Sequence, residues 1–231
     1  SGERWQALRA VTGLADSEIA RQNLIGEIEN AIRELDMINL RAPTPDRLSL
    51  LGSACKRLAW ISNDPAPRLE AVVNMANYYR QAHELETDKA RTRGELPDPS
   101  HFTHWATAKV IIGLFDAEQN PNWRNALEDD CREIIRIARE RSAKQPNFAD
   151  DVAEADCELA LLLAQKDPQP ETAQADAIRI AALYRCVAQR GVSPREYASV
   201  REHVDFVIAL VQAASDHAIL AAALTTLNAA L

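Results

Sequence analysis

Residues 47–60 read RLSLLGSACKRLAW. Leu48, Leu51, Cys55 and Leu58 recur at spacings of three and four, the signature of one apolar helix face. In the middle of that run stand Gly52, Ser53 and Ala54. A glycine inside a helix costs about 1 kcal/mol against alanine, so its presence there calls for a compensating gain. Close approach of a second helix supplies one. The stretch therefore predicts half of a packed helical hairpin, with Gly52 at the crossing.

The rest of the chain follows the same design. An opening segment runs to about Leu40, with Leu24, Ile25, Ile28, Ile32 and Leu35 on one stripe and Asp16-Ser17 as its expected cap. Thr44-Pro45 supplies a cap followed by proline at the first helical position, and opens helix 46–61. Further helices are predicted over 67–86, 101–117, 122–142, 148–165, 172–190, 194–214 and 216–230. The breaks between them are SNDPAP, EQNPN, KQPNFAD, KDPQPET and Arg190-Gly191 before Ser193-Pro194. The polar stretch TDKARTRGELPDPS, residues 87–100, reads as the longest loop. No segment alternates as a strand would. Helices joined by short turns lie antiparallel. Their loose recurrence predicts an all-α solenoid of antiparallel helix pairs, with a compact helical bundle as the alternative. The expected divisions are an N-terminal segment 1–43, a repeat domain 44–215 and a C-terminal helix 216–231 packed on it.

Of the 231 residues, 47% are hydrophobic but only 5% are aromatic, so the core rests on Ala, Leu, Ile and Val. The net charge of −8 argues against general nucleic-acid binding. No apolar run reaches the ~18 residues of a membrane span, and no leader pattern is readable. Cys55, Cys131, Cys157 and Cys186 each lie in an apolar helical pattern. They read as four buried, reduced thiols, and the expected location is cytoplasmic.

A resemblance follows from the opening stretch. Tetratricopeptide repeats place Leu-Gly midway along a first helix and an aromatic, then alanine three residues on, in the second. Leu51-Gly52 fits the first, with Cys55 in a slot usually aromatic, and Tyr79 with Ala82 in YYRQAHEL fits the second. The intervening turn, WISNDPAPRL, is longer than in a standard repeat. The ordered segments RLSLLGSACKRLA, YYRQAHEL, FTHWATAKVIIGL, DDVAEADCELALLL and ALYRCVAQRGVSPREYASVREHVDFVI are similar, over roughly residues 45–212, to a particular helical domain. It is the tetratricopeptide-type domain of bacterial proteins with CHAT (caspase-like) peptidase domains. More distantly, they resemble the TRAFs-binding domain of the apoptosis signal-regulating kinases. The chain departs from its relatives at Ser100 and His104, where Tyr-Pro and Asn often stand. The resemblance implies a tetratricopeptide-like α-solenoid acting as a protein-interaction or regulatory domain of a signalling or defence effector, the catalytic domain lying elsewhere.

A nucleophilic cysteine needs an activating base and an exposed, electropositive setting, whereas all four cysteines sit in Leu/Ala-rich helical stripes and read as core packing. His101 and His104 share a helix face at i, i+3 and, without a matching ligand pair, read as a surface histidine pair rather than a metal site. Asp129-Asp130 and Asp150-Asp151 read as helix-start and solvated carboxylates. No glycine fingerprint for phosphate is present. Residues 132–141, REIIRIARER, read as a salt-bridged outer face. The expectation is thus no catalytic residue, no metal and no cofactor. Counting along the first helices from Gly52 gives Ser49, Ser53, Lys56 and Arg57, joined by His101, His104 and Lys109. These form a locally basic groove for an acidic peptide or C-terminus. Lys56 and Arg57 are both read as polar positions, so that glutamate at both would leave helicity unchanged. Gly52, Tyr79 and Ala82 are read as helix-packing residues. The expected partner is a protein or effector domain, with homo-oligomerisation through the Ala/Leu-rich C-terminal helix possible. A purely structural oligomerisation module, or a helical hydrolase with a cryptic site, are the alternatives.

Overall fold

The computed structural model describes residues 15–115, 123–214 and 217–231. Nine α-helices and no strand occur among these residues. They are α1 (Ala15–Asn39), α2 (Pro45–Ile61), α3 (Pro65–Arg93), α4 (Ser100–Phe115), α5 (Trp123–Lys144), α6 (Phe148–Leu163), α7 (Pro170–Gln189), α8 (Pro194–Ala213) and α9 (Ala218–Ala229). The fold is an all-α helical-repeat solenoid of tetratricopeptide type. No described helix is long and apolar enough to cross a membrane.

Local chemistry explains the boundaries. The Thr44 hydroxyl accepts from the Arg47 N–H at 3.2 Å, with Pro45 in the first turn of α2. Asp64 caps α3 ahead of Pro65, and Asn147 caps α6. Ser193 and Glu196 form a reciprocal capping box at the start of α8, where Pro194 stands in the first turn. Gly191 takes a left-handed φ of 85° just past α7.

Two boundary expectations are corrected. Thr87–Arg93 is not loop but the last two turns of α3. Its Lys, Arg, Ala and Glu neighbours are good helix formers despite lacking an apolar stripe. Only Ala90 there is buried, Arg91 pairs with Asp88, and Gly94 closes the helix at φ 66°. Asp16 and Ser17 lie inside α1 and not at its cap. The turn EQNPN lies outside the described residues.

Packing proceeds hairpin by hairpin. α2 packs on α3, α3 on α4, α5 on α6 and α6 on α7, while α9 covers α7 and α8 and α1 lies against α2. A Cβ built on Gly52 would lie 2.7 Å from Cε2 of Tyr79, so the α2–α3 crossing has room for no side chain there. Tyr79 and Ala82 are both buried at this seam. Gly113 repeats the device against Trp123 of α5, at 2.9 Å. The first helices of successive pairs also meet: α4 packs on α6, and α8 reaches back to touch α4 and α2. On the outside of α5, Arg132 pairs with Glu128, Arg136 with Glu133 and Glu140, and Arg139 with Glu154. These exposed pairs are screened by solvent and add little to stability.

The thiols divide. Cys55, Cys131 and Cys157 are buried, but Cys186 is exposed, which corrects the expectation of four shielded thiols. The buried stripe of α7 runs through Ala173, Ala177, Ile180, Ala181, Tyr184 and Val187, and position 186 falls beside it. A thiol reagent applied to the native chain should therefore label one cysteine quickly. Fast labelling of a second would show that a helix pair opens.

Candidate functional site

The first helices of the pairs converge on one pocket of about 330 Å³, lined from α2, α4, α6 and α8 with Tyr79 of α3. Gly52 sets its geometry. Because Tyr79 lies flush against α2, its hydroxyl meets the Ser53 hydroxyl at 2.8 Å. The next turn of α2 then carries Lys56 and Arg57 to the pocket wall.

Lys56 is buried, contrary to its reading as a polar stripe position. The α2 turn that holds it faces α8, which no single-helix pattern shows. Its ammonium lies 3.4 Å from Nδ1 of His203 and 5.1 Å from the centre of the Phe206 ring. Burial pushes its pKa down to about 8, against the opposing pull of Glu202 and Asp156, while Arg57 lowers it further. A lysine ammonium only donates, so it assigns acceptor character to Nδ1 of His203 and places the imidazole proton on Nε2. That Nε2 is buried without a hydrogen-bond partner. His104 stands alongside, its ring 5.5 Å from His203 and 4.9 Å from Tyr79, its Nδ1 also buried and unpartnered. Burial, with the Lys56 charge second, pushes His104 down to about 3, and burial holds His203 well below the usual range. Both rings are neutral at physiological pH. The expected surface pair His101 and His104 is thus corrected: His104 turns into the pocket, and His101 is half-buried outside it with its own Nδ1 unpartnered.

Asp156 of α6 forms the floor. It accepts from the Tyr184 hydroxyl at 2.6 Å and from Thr103, yet burial raises it to about 6. The folded state therefore holds this proton more tightly than the unfolded chain, whose value is near 3.8. Stability linked to the proton is complete below that value and is lost as pH rises through about 6. Asp156→Asn should accordingly gain on the parent by about 2–3 kcal/mol between pH 4 and pH 7 in denaturant titrations. A constant difference across that range would disprove the raised carboxyl.

Ser53, Lys56, Arg57 and His104, read from the sequence, all line this pocket. Ser49 does not; it is half-buried and hydrogen-bonds the Tyr79 side chain. Lys109 lies elsewhere, its ammonium 4.8 Å over the Trp105 ring. Sequence reasoning missed Asp156, Glu202 and His203. The available signal was a polar residue within an apolar stripe, as at Val200, His203, Val204 and Val207, all buried on one face of α8.

The stacked antiparallel helix pairs make a tetratricopeptide-like all-α solenoid, and repeats of that kind generally mediate protein–protein interaction. In line with this, the family model described as Tetratricopeptide Repeats-Sensor matches residues 4–96. No curated protein and no solved structure matches the chain.

Proposed function

We propose that this chain is a non-catalytic regulatory domain that engages a protein effector and whose inner-face pocket receives an oxyanion-bearing group. One observation carries the reading. Lys56 is buried in a pocket wall beside a neutral His203, and no carboxylate pairs with its ammonium among the described residues. A buried charge is costly unless it is paired, and an incoming oxyanion gives the ammonium the counter-charge that no ion pair supplies among the described residues. Arg57, exposed at the rim, steers the same group inward. The order of sequence segments supports a caspase-like (CHAT) peptidase of a bacterial signalling or defence system as the effector. The repeat domain over 44–215, with its flanking helices, would serve as the part that reads the signal.

The test is effector capture. The Lys56→Met, Arg57→Gln double variant should fold, and should bind the cognate effector at least tenfold more weakly than the parent. Equal binding at low and moderate salt would remove the pocket from the interaction.

A further inference from the structure

The pocket is not simply basic. Its fixed charges divide by element: Lys56 and Arg57 stand on α2, while Asp156 comes from α6 and Glu202 from α8. Glu202 and Asp156 both act on the Lys56 charge through space, without an ion pair to it among the described residues. Asp156 is engaged by Tyr184 and Thr103. Glu202 is half-buried, with no hydrogen bond or ion pair among the described residues. A ligand carrying negative charge alone would satisfy Lys56 but would crowd the Glu202 carboxylate. Between the two poles, Phe148, Val152 and Val200 give the pocket an apolar side.

Size narrows the choice. A volume of about 330 Å³ is at the small end of the ~300–1,000 Å³ range of ligand pockets. With α8 touching both α2 and α4, four helices bound the pocket, a setting that suits a compact ligand better than an extended peptide.

We infer that the pocket binds a small zwitterion, a free α-amino acid with an uncharged side chain. Its carboxylate meets Lys56 and Arg57, its ammonium meets Glu202, and its side chain lies on Phe148, Val152 and Val200. The inference rests on the oxyanion reading above and adds to it the second charge and the size. His104 stays neutral and so offers the ligand a hydrogen bond without adding charge. Occupancy would tie α2 to α8, the two elements that the pocket side chains already bridge.

The experiment is a thermal-shift and calorimetric screen of the full chain against the free L-amino acids, followed by N-acetylated and C-amidated forms of any hit. At least one amino acid with an uncharged side chain should raise the unfolding temperature saturably. Its N-acetyl and amide forms should bind at least tenfold more weakly. Glu202→Gln, a substitution at a half-buried position, should weaken the free amino acid tenfold while leaving the N-acetyl form unchanged. Lys56→Met should abolish both. Equal binding of the free and N-acetylated acids would overturn the zwitterion and leave the oxyanion reading standing. Binding of the amide alone, or no binding of any acid that Lys56→Met removes, would overturn both.

Discussion

Gly52→Leu should lower the stability of the chain by about 3 kcal/mol, the upper end of what overpacking a core contact costs. For a chain of this length that corresponds to a fall of roughly 6–12 °C in the unfolding temperature. The cause is local: even a methyl group at position 52 would sit 2.7 Å from a Tyr79 ring carbon. Gly52→Ala is the sharper probe, since alanine gains about 1 kcal/mol of helix propensity that the clash must exceed. It should be destabilising in the parent and neutral or stabilising in a Tyr79→Leu background, giving a coupling of about 1–3 kcal/mol. A Gly52→Leu variant that unfolds with the parent, or a cycle without coupling, would mean that α2 and α3 do not cross at this glycine.

Lys56→Glu and Arg57→Glu, adjacent in sequence, should differ widely. At position 57 the side chain is exposed, and reversal should change stability by no more than about 0.5 kcal/mol. At position 56 it would bury a carboxylate near Asp156 and Glu202 and take the partner from His203. An uncompensated buried charge of that kind costs about 3–5 kcal/mol. Lys56→Met, which keeps the length and removes the charge, should cost about 1–2 kcal/mol, the loss being the acceptor left on Nδ1 of His203. Denaturant titration of the three variants separates these values. Similar midpoints for Lys56→Glu and Arg57→Glu would place Lys56 in solvent.

Much of the fold was legible because its punctuation is chemical. Thr44-Pro45, Ser193-Pro194 and Gly191 each announce a helix boundary through capping or a left-handed turn, and each does so locally. Residues 87–93 misled because helix propensity without an apolar stripe is easily read as loop. The α2 and α4 side of the pocket was legible once Gly52 fixed the register. Asp156, Glu202 and His203 were not, because their meeting with α2 depends on how far successive helix pairs rotate around the superhelix, a small angle accumulated over three crossings. Burial of Lys56 is hidden for the same reason: the residue that covers it lies 147 positions away.

The return of α8 onto α2 also changes how the chain should come apart. An open solenoid is stabilised by nearest-neighbour interfaces, so its ends fray and its repeats unfold in sequence. Here the Lys56–His203 and Trp60–Phe206 contacts join the first pair to the last. The terminal repeats therefore protect each other, and amide exchange in α2 and α8 should slow together and be lost in one event. A repeat array that closes on itself in this way behaves as a single cooperative unit, and whatever stabilises the junction acts on every repeat at once.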